Sequence, residues 1–154
     1  MTVLNSHKTA IARKTLPVPV RWLQKNGLIK GKYILDFGCG KCLDINPPEW
    51  DNYDPHFRPW SCWHKQVYDT ILCTYVLCTL PESQERAILK EIQKKLKPTG
   101  AAFISVRNDT PKNGHGVSSK GTFQRKVILP YLFEIRCTSQ YRTYLLTKKD
   151  VVGY

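Results

Sequence analysis

The sequence predicts an α/β protein with a mostly parallel sheet, on the basis of three observations. Short apolar runs of strand length alternate along the chain with segments of helical periodicity. One run ends in an acidic residue and enters a glycine-rich turn, as buried parallel strands commonly do. Near the end of the sequence, two segments of alternating polarity are typical of an antiparallel hairpin. Together these features indicate a layered α/β sheet with a mixed edge.

The individual elements follow from apolar spacing and from the residues that interrupt it. Leu89, Ile92 and Leu96 recur at helical spacing, whereas Lys90 and Lys94 fall on the opposite face. The predicted elements are a helix over 18–28, strands over 33–37, 50–54 and 70–74, a helix over 83–96, a strand over 101–107, a loop over 108–122, a helix over 123–131, and hairpin strands over 132–138 and 141–147.

Length and composition predict one globular domain over residues 1–154, with residues 1–16 as a basic N-terminal arm. Hydrophobic residues make up 42% of the chain and charged residues 23%, which is ordinary for a folded domain. The first 14 residues lack an apolar stretch of signal-peptide type, so we expect a cytoplasmic protein with reduced cysteines.

Net charge is the most unusual bulk property. There are 24 Lys and Arg residues against 12 Asp and Glu residues, which gives a formal net charge of +12. Such an excess attracts anionic partners, and we expect nucleic acid, either DNA or RNA, or another anionic substrate. The alternative is that the charge serves solubility alone. Charge indicates a class of partner and not a reaction, and the sequence does not indicate an oligomeric state.

A candidate binding site lies where the first strand ends. Asp36, Gly38 and Gly40 directly follow apolar residues, and glycines there allow a sharp turn and a close approach of ligand to the backbone. Asp54 follows Asp36 by 18 positions at the end of the second predicted strand. An acid at this spacing is placed to accept hydrogen bonds from both ribose hydroxyls. The alternative is a turn residue before Pro55.

Several segments then resemble one family in the correct order. Residues 34–40 resemble motif I of class I methyltransferases, which depend on S-adenosylmethionine (SAM), and Tyr53-Asp54 resembles motif II. Residues 68–77 resemble motif IV at the end of the family's strand four, and 96–106 resemble the proline–glycine entry to strand five. Residues 133–135 and 144–146 resemble its closing hairpin. The resemblance implies a Rossmann-like, three-layer α/β/α fold, SAM as cofactor and transfer of its methyl group.

The resemblance also implies roles for particular residues. Thr74 and Tyr75, just past strand four, are the candidate catalytic residues. Tyr75 is the preferred polar contact, and core packing is its alternative role. Arg13, Lys14 and Arg107 are candidates for substrate binding, because they lie on segments that flank the predicted pocket mouth. The basic arm and the loop over 108–122 either close over substrate or are a solvated surface. The candidates for cofactor binding are Asp36, Gly38, Cys39, Gly40, Tyr53, Asp54, Pro55 and Cys73.

The sequence departs from the family pattern in two places. Cys42 replaces the third glycine of the loop and crowds the start of the helix expected there. Only 15 positions separate Asp54 from Asp69, so strand three and motif III are reduced or absent. Aromatic side chains between these positions are candidates to hold the adenine instead, or they serve packing alone. They are His56, Phe57, Trp60 and Trp63.

Motif IV lacks the Asn/Asp-Pro-Pro-aromatic signature of related enzymes that methylate exocyclic amino groups of bases. Cys73 also lacks the preceding proline expected of a cysteine nucleophile in C5-cytosine methylation. Residues 12–15, 20–23 and 106–107 further resemble a small bacterial and phage group that includes methyltransferases associated with DNA phosphorothioation. The acceptor atom is therefore left open, and a small-molecule methyltransferase is one alternative.

Two other classes of protein are also considered. Cys39 and Cys42, with Cys62 and His64, have spacing compatible with structural zinc, although a cofactor loop explains Gly38 and its neighbours better, so we expect no metal. The second is a catalytically inactive protein with the same fold that binds nucleic acid as an adaptor. The shortened strand-three region favours it.

Overall fold

A computed structural model describes residues 14–41, 45–109, 115–117 and 123–152. These residues form two α-helices, a short 3-10 helix over Leu77–Thr79 and eight strands. The helices and strands are α1 (Val18–Lys25), β1 (Ile34–Phe37), β2 (Asp51–Tyr53), β3 (Tyr68–Thr74), α2 (Glu82–Lys94), β4 (Leu96–Arg107), β5 (His115–Val117), β6 (Phe123–Arg125), β7 (Phe133–Cys137) and β8 (Tyr141–Thr147).

Six strands form one sheet in the order β2-β1-β3-β4-β8-β7. The first four are mutually parallel, whereas β8 is antiparallel to both β4 and β7. This arrangement confirms the predicted parallel sheet with a C-terminal antiparallel hairpin. The chain leaves β1 for β2 on one side and returns to β3 on the other side. The carboxyl ends of β1 and β3 therefore form a topological switch point, where open α/β sheets bind ligands.

One helix covers each face of the sheet, which gives three layers. Val20 and Leu23 of α1 pack on one face with Leu72 and Phe103 of the central strands. On the other face, apolar residues of α2 pack on alternate positions of the same strands, as the period of a strand requires. The members of this second cluster include Ile71, Ile88, Leu89, Ile92, Ala102 and Ile104. No helix among the described residues is long and apolar enough to cross a membrane.

The predicted helix over 123–131 is wrong. Phe123–Arg125 instead forms β6, which pairs with β5 within the segment predicted to be a loop. The buried guanidinium of Arg125 explains the difference, because its Nη2 donates to Glu85 Oε2 at 2.7 Å and its Nε to Leu80 O at 2.6 Å. These partners are at least 40 residues away in sequence, so tertiary contacts override the local pattern.

Candidate cofactor and active site

The loops after β1 and β3 touch at the switch point. Gly38 has a φ of +79°, and a Cβ built on it would overlap with the Cγ2 methyl of Val76. Val76 is β-branched and cannot readily swing away. Glycine is therefore required at position 38 both by its left-handed backbone and by the close approach of the β3 loop.

The glycine loop is tied to the end of β2 through its own backbone. The N–H groups of Gly38 and Cys39 both donate to Tyr53 O, at 2.7 and 2.9 Å. The Gly40 N–H donates to Asp54 Oδ2 at 3.0 Å. Three consecutive N–H groups are thus already hydrogen-bonded within the protein. The loop is a firm wall beside the switch point, and its amides are not available to a ligand carboxylate.

Asp54 joins three backbone segments through one carboxylate. Besides Gly40, it accepts the N–H groups of His56 and Phe57 on Oδ1, at 2.9 and 3.0 Å. The exposed Pro55 lies within this turn. A carboxylate accepts about four hydrogen bonds, so the described residues leave one position on Oδ2 unused. Asp54 therefore takes the turn role that was the alternative, with room for one of the two expected ribose hydroxyls, whose binding stays a prediction.

Asp36 is held at the end of β1 by Asn46, which donates to Asp36 Oδ2 at 2.8 Å and to Asn52 Oδ1 at 2.6 Å. Burial raises the pKa of Asp36 from 3.8 to about 6, the Asn46 hydrogen bond opposes this, and the charge of Asp54 adds to it. The two carboxylates thus create a local excess of negative charge, which favours a cationic ligand. No sequence pattern indicates this role of Asn46.

Thr74 ends β3 with a polar atom that the fold leaves unsatisfied. Its hydroxyl is shielded from solvent and has no hydrogen-bond partner among the residues the structure describes. Its neighbour across the sheet, Ser105, shares its own hydroxyl with Thr143 at 2.8 Å. An unsatisfied buried hydroxyl costs about 1–3 kcal/mol, so its position at a ligand-binding edge calls for an explanation.

Tyr75 follows Thr74 with a φ of +61°, a left-handed conformation that no other described residue except glycine adopts. Its N–H donates to Ser105 O at 2.8 Å, which extends the pairing with β4 past the end of β3. Such a conformation costs about 1–3 kcal/mol for a bulky residue and is concentrated at functional sites. The structure thus directs the chain sharply away from the sheet at the predicted catalytic position.

Two other predicted site residues are buried in the core. Cys73 has no solvent exposure, and burial raises the pKa of its thiol well above the usual range, with further contributions from Asp36 and Cys78. A thiol in this environment is a poor nucleophile. Burial, with the charges of Glu91 and Asp54, raises the pKa of Tyr53 to about 12, so its phenol stays protonated at neutral pH.

No family model and no curated protein sequence matches this chain. Solved structures do match it. The 1,6-didemethyltoxoflavin-N1-methyltransferase of Burkholderia thailandensis, solved with 1,6-didemethyltoxoflavin and S-adenosylhomocysteine, has a TM-score of 0.57 at 14% identity, over 83% of this chain and 76% of that one. The PH0226 protein of Pyrococcus horikoshii OT3 has a TM-score of 0.53 at 10% identity, over 82% and 86%.

A third structure, the glycopeptide N-methyltransferase MtfA, has a TM-score of 0.52 at 7% identity, over 82% of this chain and 88% of that one. The chain has the class I methyltransferase fold. At these identities the likeness concerns the fold alone. The narrower resemblance to the phosphorothioation-associated group stays a prediction.

Within the class I methyltransferase fold, this chain is reduced in two places. Residues 54–67 contain no strand beyond an isolated bridge between Asp54 and Arg58, so the predicted loss of strand three is confirmed. The helix expected after the glycine loop is not present in residues 38–41 or 45–50. Cys42, expected to crowd its start, lies outside the described residues. The described part of the loop therefore has no helix start whose N–H groups would bind a ligand carboxylate.

The aromatic candidates for the adenine contact have different environments. Trp60 stacks on Tyr53 with ring centroids 3.8 Å apart, and Lys95 Nζ lies 4.2 Å from the Trp60 ring centre. Trp60 thus packs against the core cluster that includes Tyr53. Trp63 is 71% exposed, His56 is exposed, and Phe57 is half-buried. The rings of His56 and Phe57 contact each other edge to face, with centroids 4.6 Å apart.

Of the predicted substrate-binding residues, the structure describes Arg107 and Lys14. Arg107, at the end of β4, forms a bidentate ion pair with Asp109, with N–O distances of 2.8 and 3.0 Å. Lys14 is exposed, and Arg13 lies outside the described residues. The loop predicted to close over substrate is described only in part. These roles stay predictions.

The zinc alternative finds no support in the part of the chain that the structure describes. No three potential ligands cluster there, and both ring nitrogens of His64 are engaged. Nδ1 lies 3.1 Å from Ser61 Oγ, and Nε2 lies 2.8 Å from Asn52 O. His64 therefore serves to fix the segment between β2 and β3. Cys42, the other half of the proposed Cys39 pair, lies outside the described residues.

Proposed function

We propose that this chain is a SAM-dependent methyltransferase. The observation that carries the proposal is the shielded hydroxyl of Thr74 at the carboxyl end of β3, which has no partner among the described residues. It lies at the topological switch point of a sheet whose fold is shared with methyltransferases. A ligand that supplies the missing hydrogen bond would repay the cost of burying this group.

The residues at this edge fit the chemical groups of SAM. Asp54 Oδ2 has capacity for one ribose hydroxyl, since the other three acceptor positions of the carboxylate are engaged. Asp36 and Asp54 together favour the positive charge of a sulfonium. Gly38 and Cys39 would shape the pocket wall through their backbone, and not donate their N–H groups to the cofactor.

When bound, SAM supplies an electrophilic methyl group. The chain would contribute alignment of the acceptor, for which reacting atoms must lie about 3–3.5 Å apart. Tyr75 would carry this role, because its left-handed backbone fixes the direction in which the loop leaves β3. Thr74 would position the ligand through its hydroxyl. Cys73 takes no part as a nucleophile, since burial keeps its thiol protonated.

We propose nucleic acid as the acceptor, on the support of the +12 net charge. A small-molecule acceptor is the second candidate. It is favoured by the similar structures, whose names specify a toxoflavin precursor and a glycopeptide. The third candidate, an inactive adaptor, is favoured by the internally bonded glycine loop and the missing strand three.

Calorimetric titration with SAM and S-adenosylhomocysteine tests the proposal. We expect Asp54→Asn to weaken binding at least about tenfold, the lower end for a hydrogen bond to a charged group. Asp51→Asn is the matched control, because Asp51 lies at the other end of β2. Its Oδ2 accepts a hydrogen bond from the Tyr68 hydroxyl at 2.7 Å. Equal affinity of Asp54→Asn and the native chain would contradict the cofactor site.

Transfer of labelled methyl groups then distinguishes the candidates. The acceptors to compare are tRNA, DNA with and without phosphorothioate linkages, and a pool of small molecules. Labelling of nucleic acid would support our acceptor, and labelling of small molecules alone would contradict it. Cofactor binding without transfer to any acceptor would favour the adaptor.

A further inference from the structure

A basic groove lies between α1 and the turn of the β7–β8 hairpin, apart from the switch point. It encloses about 410 Å³, within the range of sites for small ligands. Three of its nine lining residues are basic and none is acidic. The basic lining residues are Arg21, Lys25 and Arg136.

Arg136 is positioned by contacts that leave most of its donors unused. Its guanidinium carbon lies 4.7 Å from the centre of the Trp22 ring, and its Nε donates to Tyr141 Oη at 2.9 Å. Its other N–H groups have no acceptor, and the side chain has no ion pair, among the described residues. A guanidinium held in this way presents a planar fork of donors that matches a phosphate.

One face of α1 supplies the opposite wall. Val18, Arg21, Trp22 and Lys25 recur at the spacing of a single helix face, next to the face that packs on the sheet. Arg21 and Lys25 are exposed, and α1 contains no acidic residue. Their charges therefore add to that of Arg136, and no acidic residue lines the described groove, a concave site that concentrates the field.

We propose that this groove binds a nucleotide unit of a single-stranded nucleic acid, with its phosphate at Arg136 and its base beside Trp22. A cation next to an aromatic ring is the combination that single-strand binding proteins use for phosphate and base. The volume of about 410 Å³ suits one nucleotide unit. This binding does not require methyl transfer.

The groove opens at the same edge of the sheet as the switch point. Tyr141 pairs with Arg107 at the carboxyl end of β4, and β4 adjoins β3. Two strand spacings, about 10 Å, separate β3 from β8. A strand held in the groove could extend toward Tyr75 along this edge. That the groove delivers an acceptor rests on the proposed function, whereas its affinity for a nucleotide does not.

Fluorescence anisotropy with a labelled oligothymidylate of about 12 nucleotides tests the groove. We expect Arg136→Gln to weaken binding at least about fivefold, and Arg21→Gln with Lys25→Gln to weaken it further. Each lost phosphate contact should reduce the slope of log affinity against log salt by about 0.7. The control replaces Lys90 and Lys94, which are exposed on α2 against the other sheet face, with glutamine.

Circular dichroism and SAM titration of each variant report on folding and on the cofactor site separately. Loss of oligonucleotide binding with unchanged SAM affinity would support the groove, whatever the native chain methylates. Equal loss in the α2 control and the groove variants would overturn it. A mononucleotide that binds as tightly as the oligonucleotide would overturn a single strand as the ligand. If SAM fails to bind but the groove variants lose the oligonucleotide, only the proposed function is contradicted.

Discussion

The two loops that meet at the switch point differ in how fully their polar groups are satisfied. The loop after β1 donates three consecutive N–H groups to Tyr53 and Asp54. The loop after β3 begins with a hydroxyl on Thr74 that the described residues leave unpartnered, followed by a left-handed residue at Tyr75. The loop after β1 is therefore rigid. The end of β3 and the loop after it keep a strained backbone and an unused hydroxyl, both of which are common at ligand-binding sites. Substitutions in the loop after β1 should consequently affect mainly stability. Substitutions at the end of β3 and in the loop after it should affect mainly ligand binding.

The largest effect on stability is expected from Gly38→Ala, on the rigid side. A left-handed alanine costs about 1 kcal/mol, and its overlap with Val76 adds about 1–3 kcal/mol. We therefore expect the free energy of unfolding to fall by about 3 kcal/mol in denaturant titration. Gly27→Ala is the control, because Gly27 has a φ of +68° but no atom lies within 4 Å of the place that an alanine Cβ would take. It should lose only about 1 kcal/mol.

A double-mutant cycle sharpens the same comparison. Val76→Ala in the Gly38→Ala background should recover part of the lost stability, because it removes the methyl group that the new Cβ meets. Equal losses for the alanines at positions 27 and 38, with no coupling to position 76, would mean that the two loops do not touch as described.

The centre of the sheet could be predicted from the sequence because β3 and β4 carry their own apolar signals. The apolar runs at 70–74 and 101–107 predict buried strands, and β3 and β4 include both. The absent strand three also follows from the sequence, since 15 positions leave no room for it. The prediction of a helix over 123–131 was wrong for the opposite reason. β6 is held by the contact of Arg125 with Glu85, which is distant in sequence and does not enter a local pattern.

The candidate site could be located from the sequence but its hydrogen bonds could not. Glycines after β1 and an acid after β2 are local signals, and both lie at the predicted places. The hydrogen bonds of Gly40 with Asp54 and of Asn46 with Asp36 could not be predicted, because they depend on how the chain segments meet in space. The groove at Arg136 carries no sequence signal, because α1 and the hairpin are more than 100 residues apart.

The second largest effect concerns the pH dependence of stability through Asp36. Its pKa of about 6 in the folded chain exceeds the ordinary value of 3.8. The folded state therefore binds the carboxyl proton of Asp36 more tightly than the unfolded state does. This protonation stabilises the fold fully below about pH 4, and the stabilisation is lost as the pH rises through 6. We expect Asp36→Asn to gain about 2–3 kcal/mol over the native chain at about pH 7 and nothing at about pH 3.5.

Asp69 provides a control of opposite sign. The Tyr33 N–H, followed by Lys97, lowers the pKa of its carboxyl. Its contribution is thus present above the unfolded pKa and is lost as the pH falls. Asp69→Asn should therefore destabilise the chain at neutral pH, by a smaller amount because the side chain is partly exposed. A gain from Asp36→Asn that is constant between about pH 3.5 and 7 would contradict the raised pKa.

The smallest effect on stability, and the clearest difference between stability and function, is expected at Thr74. Thr74→Val removes a hydroxyl that the described fold leaves unpartnered, so the free energy of unfolding should stay unchanged or rise by up to about 1 kcal/mol. Thr79→Val is matched in chemistry, but Thr79 Oγ1 donates to Val76 O at 2.7 Å. Its loss should cost about 1 kcal/mol.

Binding should rank the two threonine variants in the reverse order. If Thr74 keeps its hydroxyl for a ligand, Thr74→Val should weaken SAM affinity or slow methyl transfer, while Thr79→Val leaves both near native values at temperatures where it is folded. Paired melting curves and titrations measure this. A destabilised Thr74→Val variant with native affinity would mean that the hydroxyl is satisfied within the protein, and the β3 loop would then be as self-contained as the loop after β1.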